Sequence, residues 1–302
     1  IFFGNSTEIK KALRKHNILK ESYEIISTKF VVSPDDKPSQ VLRNSKDTSM
    51  GSSLDWLKSR KVDALVSAGN TGALMALSKF KLRTMNGINR PAIATTIPHA
   101  KGEFVMLDLG ANVECDSENL IQFAIMGTEF AKIILAKDKP KIGILNVGTE
   151  QEKGKASLQK VSEYLKNSYL SDQFEGFVEG NVITNGVVDV VITDGFTGNI
   201  ALKTAEGIAK LCTFYIKSVF SGSIMGRVSY FLIKNSMDLL KTKLDPRNRN
   251  GALFLGLNGI VVKSHGGADA LSFASAIDIA IDFSKENVGE KIIKSLENLK
   301  SS

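Results

Sequence analysis

The sequence predicts an α/β fold of three αβα layers, with a mostly parallel, doubly wound sheet between helices. Three observations carry that expectation. Five short runs of Val, Ile and Leu recur along the chain, each ends in a loop of Gly, Asn, Asp, Ser or Thr, and an apolar-periodic segment usually follows. Runs that are apolar throughout belong to strands buried on both faces, and their alternation with helices selects parallel pairing.

The first run, VDALV (62–66), opens into SAGNTG, where Thr71 is placed to cap the next helix. EFVMLDL (103–109) opens into GANVECDS, with Asp116 or Ser117 as cap of the helix LIQFAIMGTEFAKIIL. KIGILNV (141–147) leads into GTEQEKG. VVDVVIT (187–193) leads into DGFTGN, where Thr197 caps NIALKTAEGIAKL, and GIVVKS (259–264) leads into HGGADA. The opening IFFGNS reads as the end of a strand, so a further segment is expected before Ile1. Lys139-Pro140 and Asp245-Pro246 mark breaks. With no linker or low-complexity tract, residues 1–302 are expected to form one domain.

One stretch departs from this rhythm. From Thr213 to Lys243 aromatic and aliphatic residues crowd around SGS and MGR turns, and Lys217, Arg227, Lys234, Lys241 and Lys243 face the single acid Asp238. A basic, aromatic-rich helical hairpin of this kind suits a membrane surface or an acidic partner. Packing on a second subunit explains the same residues equally well.

At 302 residues the chain can bury most of its apolar surface, and 43% hydrophobic with 24% charged residues is ordinary for a globular protein. A net charge of +7 and a pI near 9.2 favour acidic partners. The basic residues form no nucleic-acid-reading motif, so nucleic acid is not expected among them. Cys115 and Cys212 stand far apart with no Cys or His at metal-binding spacing, which fits a reducing cytosol. No run of eighteen apolar residues is present, and the start has no signal-peptide pattern.

Open parallel sheets bind ligands beyond the carboxyl ends of their strands. Glycines there let backbone N–H groups approach an anion, and the helix N-terminus behind them adds partial positive charge. Gly69, Asn70, Thr71 and Gly72 share a Gly-x-Thr-Gly pattern with Gly195, Thr197 and Gly198, and two such turns facing one crevice suit a phosphate. A tight strand-to-helix turn is the other use of such glycines. GTEQEKGKA is not a P-loop, because five residues separate its glycines and Ala156 stands where Ser or Thr is needed.

Among single side chains, Lys203 lies about one turn inside its helix and leans toward the loop. His265 follows a strand beside Gly266 and Gly267, a setting that His16 and His99 lack. Asn70, Asn112, Asn181 and Asn199 fall in or beside the loops, where amides hold phosphate or a carbonyl oxygen but also tolerate left-handed turns. Asp108 and Asp194 end strands and read as caps of backbone N–H groups. No acidic cluster supports a metal.

VSAGNTGALMALSKF, VMLDLGANVECDSENLIQFAIMG, ILNVGTEQEKG, EGN followed by DVVITDGFTGNIALK, and LDPRNRNGALFLGLNGIVVKSHGGADA together resemble the bacterial acyl-ACP:phosphate acyltransferases. The matches run in order from about residue 35 to past Ala276. The resemblance implies transfer of a long-chain acyl group from acyl carrier protein to inorganic phosphate. A membrane glycerol-3-phosphate acyltransferase then consumes the acyl phosphate. It also implies a Rossmann-like fold of the phosphotransacetylase and isopropylmalate dehydrogenase kind, a homodimer, no cofactor, and a cytoplasmic enzyme peripherally associated with the membrane. The family's opening strand and DAMGGD-like loop are absent here.

Thioester phosphorolysis suits these loops. Phosphate is largely dianionic at neutral pH and needs positioning more than deprotonation, and a thiol with a pKa of about 8.5 leaves without strong acid catalysis. Direct attack is therefore expected, with the two loops holding phosphate and Lys203 neutralising it. Asn199 stabilises the oxyanion and His265 steadies the thiolate. Asn112, Asn181 and Lys263 are the candidates for the acyl pocket. In the hairpin, Phe220, Ile224, Met225 and Phe231 form a lipid-facing tip, with Arg227 and Lys234 at anionic headgroups. The rival readings are a coenzyme A-dependent phosphotransacylase and a non-catalytic membrane or carrier-protein scaffold. A metal- and NAD-dependent dehydrogenase would need clustered aspartates.

Overall fold

The computed structural model describes residues 1–16, 18, 20–238 and 250–300. Its strands are β1 (Phe2–Gly4), β2 (Ile25–Ser27), β3 (Ala64–Ser67), β4 (Ala92–His99), β5 (Gly102–Leu107), β6 (Ile142–Asn146), β7 (Phe174–Glu179), β8 (Val190–Ile192), β9 (Ala252–Leu255) and β10 (Ile260–Lys263). The chain divides into two compact units, residues 1–91 with 250–302 and residues 92–249. Within these units five strand pairings are parallel and two antiparallel. With helices flanking the strands, the protein is of the mixed, mostly parallel α/β class.

In the first unit β3 and β10 run parallel, with Leu65 opposite Val261 and Ser67 opposite Lys263, and β9 joins β10 antiparallel. Parallel pairing sends the loops after β3 and β10 out at the same end. The helix Ala270–Lys285 packs on both strands, burying Ala276, Ala280 and Phe283. The helices Pro38–Arg43 and Ser49–Lys58 pack on the helix Thr71–Leu82. Leu54, Leu74, Leu77, Val261 and Val262 are fully buried there.

In the second unit the strand order is β4-β5-β8-β6-β7. β4 and β5 form an antiparallel hairpin, and the remaining neighbours are parallel. Phe104 to Leu107 of β5 and Val190 to Ile192 of β8 are completely buried, as their unbroken apolar runs require. The helix Ser117–Ile134 packs on these two strands at Gly127, where a Cβ would fall 2.7 Å from a Leu107 methyl and 2.8 Å from a Val190 methyl, and it buries Phe123, Ile125, Met126 and Phe130. Each such side chain contributes roughly 1.5–3 kcal/mol by leaving water.

All five predicted strands are present, within a few residues of their expected ends. The helix starts need correction. Asn70 caps the helix Thr71–Leu82, and Asp194 caps the helix Gly195–Ser221, so Thr71 is the first helical residue and Thr197 the third. An Asx side chain accepts from the N–H three residues on: Asn70 Oδ1 takes Ala73 N–H at 3.0 Å and Asp194 Oδ1 takes Thr197 N–H at 2.7 Å. Asp116 caps its helix as expected, accepting from Asn119 N–H at 2.8 Å.

The hairpin also differs from its sequence outline. Its first helix is continuous from Gly195 to Ser221, so no break occurs at Thr213. The SGS segment does turn, with Ser223 capping the helix Ile224–Leu232, but MGR lies inside that helix. Gly226 is there for close approach, since a Cβ would fall 2.8 Å from the Val219 carbonyl oxygen. Lys241, Lys243 and the Asp245-Pro246 break lie outside the described residues.

Candidate functional site

In the first unit, the loop after β3 carries Gly69 and Asn70 into the helix Thr71–Leu82. The Asn70 side chain is occupied by the loop itself. Besides capping Ala73, its Nδ2 donates to the carbonyls of Pro34 at 2.8 Å and Asp36 at 3.1 Å. The amide expected to hold phosphate therefore positions the loop, and the backbone is left to bind. Thr71 and Gly72, the first two helical residues, have no acceptor for their N–H groups within the helix or elsewhere among the described residues. Two such donors at the positive end of a twelve-residue helix form an anion-binding geometry.

The loop after β10 lies beside it. Ser264 N–H donates to Ser67 O at 2.9 Å, and a Cβ on Gly266 would be 3.6 Å from the Ala68 carbonyl oxygen. His265 is exposed, and its Nδ1 accepts Gly267 N–H at 3.0 Å. With Nδ1 accepting, the neutral ring carries its proton on Nε2, which makes Nε2–H a donor. Asn250 fixes this loop: its Oδ1 takes His265 N–H at 2.9 Å, while its Nδ2 donates to Ser264 Oγ at 2.6 Å and Ser272 O at 2.8 Å. Sequence reasoning missed Asn250, whose signal was an asparagine directly before a glycine and a strand. Lys263 ends β10, donates to Ser264 O, and has its ammonium pushed below the usual lysine value by burial.

In the second unit the DGFTGN loop is closed by its own hydrogen bonds. Gly195 N–H donates to Asn112 O at 2.8 Å and Thr197 N–H goes to Asp194, leaving Phe196 as the first-turn residue with an uncommitted N–H among the described residues. Burial raises the Asp194 carboxyl. The Thr197 N–H and hydroxyl and the Lys155 ammonium at 3.3 Å outweigh burial and bring it below the ordinary aspartate value. An ionised carboxylate thus already occupies this helix end. Lys155, which sequence reasoning passed over, is the cation beside it.

The two glycines of that loop serve packing. A Cβ on Gly195 would lie 2.5 Å from Asn112 O, and one on Gly198 would lie 2.0 Å from Asp108 O. Asp108 is the centre of the contact. Its Oδ1 accepts from Ile93 N–H at 2.9 Å and Ala111 N–H at 3.1 Å; its Oδ2 accepts from Asn112 N–H at 2.7 Å and Asn112 Nδ2 at 2.9 Å. Burial, partly offset by these donors, leaves its carboxyl above the ordinary aspartate value. Asp108 and Asp194 both cap backbone N–H groups, as their places at strand ends suggested.

The other candidates are placed within their own units. The helix starts at Gly195, so Lys203 lies more than two turns in, about 12 Å along the axis. Its Nζ pairs with Glu206 at 2.8 Å instead of leaning back to the loop. Asn199 is exposed, its side chain 3.6 Å from the place a Cβ on Gly110 would take. Asn112 is buried on Asp108, Asn181 is exposed in the turn after β7, and Lys263 ends β10 in the first unit.

In the helix Gly195–Ser221 only Gly195 and Gly198 are buried, and the later turns carry half-buried Leu202, Ile216 and Phe220 among exposed residues. At the hairpin tip Ile224, Met225 and Phe231 are 83%, 74% and 78% exposed, and Arg227 and Lys234 are exposed as well. Phe220 differs. It is half-buried, and its ring meets Tyr230 edge-on at 5.6 Å and ties the two helices together. No described helix is long and apolar enough to cross a membrane.

Residues 1–291 match the model of the family described as fatty acid synthesis protein. A curated relative from Paramagnetospirillum magneticum, named phosphate acyltransferase, is 47% identical over 300 residues, covering 99% of this chain and 86% of its own length. One of the same name from Rhodospirillum rubrum is 46% identical over 292 residues, covering 97% and 84%. Among solved structures, a phosphotransacetylase from Streptococcus pyogenes aligns with a TM-score of 0.60 at 18% identity, over 94% of this chain and 85% of its own. The EutD phosphotransacetylase from Staphylococcus aureus aligns with a TM-score of 0.56 at 14% identity, over 93% and 85%. At that identity the likeness speaks for the fold alone.

Proposed function

From its place in the fatty acid synthesis protein family, to which the chain belongs, we propose that it transfers an acyl group from acyl carrier protein to inorganic phosphate. The observation that carries the reading to particular residues is the start of the helix Thr71–Leu82, with its two uncommitted N–H donors beside the His265 loop. Phosphate binds Thr71 and Gly72 N–H there, aided by the helix end. A phosphate oxygen attacks the thioester carbonyl carbon, the C–O bond forms, the C–S bond breaks, and the phosphate proton ends on the departing sulfur. The His265 Nε2–H steadies that sulfur. Lys263, whose ammonium burial holds below the usual lysine value, ends the strand before His265, and an anion bound nearby offsets the cost of its charge. Lys203 is assigned to its ion pair with Glu206 instead of the phosphate.

The test is release of carrier-protein thiol from palmitoyl-ACP with and without phosphate, with acyl phosphate trapped by hydroxylamine. Phosphate-dependent release is expected. His265→Ala is expected to slow it about tenfold, the worth of one hydrogen bond to a charged group. No release with or without phosphate, with palmitoyl-CoA inert too, favours the scaffold reading.

The hairpin supports delivery of a poorly soluble product at a membrane, where a glycerol-3-phosphate acyltransferase consumes it. Ile224, Met225 and Phe231 enter the headgroup region, with Arg227 and Lys234 at its anionic groups. Ile224→Asp with Phe231→Asp is expected to abolish co-flotation with vesicles containing anionic lipid. Undiminished flotation removes the membrane role.

A further inference from the structure

A second recess in the first unit takes no part in the chemistry above. Phe30 pairs with Thr48 in a parallel bridge, Ser49 N–H donates to Phe30 O at 3.1 Å, and the helix Pro38–Arg43 stands opposite. Together they line a cavity of about 640 Å³. Its floor is apolar, with Val32 and Val41 only 7% and 5% exposed. At its mouth Phe30 and Val31 stay 60% and 73% exposed. The rim holds Gln40, Arg43, Asn44 and Lys46, none of whose side chains has an intramolecular partner among the described residues, together with Asp36, whose Oδ2 accepts Ser33 N–H at 2.7 Å. One wall is tied to the anion-binding loop: Asn70 Nδ2 bonds the Pro34 and Asp36 carbonyls, and a Cβ on Gly72 would lie 3.3 Å from the Pro38 ring.

We propose that this recess holds the phosphopantetheine arm on which the carrier protein presents its thioester, an inference that rests on the phosphorolysis reading. That arm carries, in order, a phosphodiester, a branched apolar unit, two amides and the sulfur. Arg43 and Lys46 answer the phosphodiester. Phe30 and Val31, above the valine floor, answer the branched unit, and Gln40 and Asn44 answer the amides. The volume falls in the range of small-ligand sites, about 300–1,000 Å³. Two exposed apolar side chains beside two cations also suit the acidic surface of a carrier protein, which free coenzyme A lacks. The arm then runs along the wall toward Asn70, which brings its sulfur end to the loop where phosphate binds.

The experiment uses the full chain, the double variant Arg43→Ala/Lys46→Ala, and Phe30→Asp as a second variant, with thermal unfolding reporting that each is folded. Holo-carrier, apo-carrier without the arm, and coenzyme A are titrated calorimetrically, and KM is measured for palmitoyl-ACP and for phosphate. Wild type is expected to bind holo-carrier more tightly than apo-carrier. Both variants are expected to weaken holo-carrier binding, and to raise KM for palmitoyl-ACP, by about tenfold or more. KM for phosphate should stay within about twofold, since phosphate sits elsewhere. Equal binding of holo- and apo-carrier by wild type overturns the proposal, as does unchanged holo-carrier affinity in a folded variant. So does a rise in KM confined to phosphate. Tight, variant-sensitive holo-carrier binding without phosphate-dependent thiol release overturns the phosphorolysis reading instead and leaves the recess as the arm's site.

Discussion

Asp108→Ala is expected to destabilise the protein by about 3–5 kcal/mol, measured as a lowered midpoint in urea unfolding followed by circular dichroism. The carboxylate accepts four hydrogen bonds, three of them from the backbone N–H groups of Ile93, Ala111 and Asn112. Alanine supplies no acceptor, and the site is fully buried, so water does not easily replace it. Each orphaned donor costs about 1–3 kcal/mol before relaxation. Asp108→Asn separates the causes. Its oxygen preserves half the acceptors, while its NH₂ meets donors that themselves need an acceptor, so it should recover only part of the loss. A change below about 1 kcal/mol for Asp108→Ala contradicts the network.

Gly198→Ala should lose about 3 kcal/mol, although alanine is the better helix former by about 1 kcal/mol. The sign turns on what the new Cβ meets. At Gly198 that is the Asp108 carbonyl oxygen at 2.0 Å, a backbone atom with no rotamer to escape into. The helix start must shift, and the Gly195 N–H bond to Asn112 O shifts with it. Gly207 lies further along the same helix with nothing within 4 Å of its would-be Cβ, so Gly207→Ala is expected to be neutral or slightly stabilising. Equal behaviour of the two variants in thermal unfolding rules out the close-contact explanation.

Of the strands legible in the sequence, β5, β6 and β8 are buried along most of their length, whereas β3 was legible from its apolar composition although only Leu65 in it is buried. β5 and β8 read as apolar runs because no face of them meets water. β4 was missed because AIATTIPH turns half-exposed along its second half and contains Pro98. β7, FEGFVE, alternates with acids and pairs with a single neighbour, and its Gly176 adds a turn signal. β9 lacks the length and flanks that set a strand apart from a buried loop. The cap errors share one cause. Thr and Asx both cap helices, and local sequence does not show which of two neighbours has entered the helix. Reading Thr197 for Asp194 moved the helix start by three residues and brought Lys203 too close to the loop. The Asp108 network was hidden because one of its donors, Ile93, lies fifteen residues away on a strand that had not been recognised.

The helix Gly195–Ser221 joins two regimes of stability in one element. Its first turn is locked into the second unit through Gly195 and Gly198, and can open only when that packing opens. The remaining turns, close to 35 Å of helix, hold mainly by their own backbone hydrogen bonds, and cooperativity makes a helix of this length only marginal by itself. Unwinding from the far end therefore needs no melting of the strands beneath the first turn. A surface that covers the apolar side chains gains their burial and also suppresses this fraying. Contact at the tip thus stiffens a rod whose base is the DGFTGN loop.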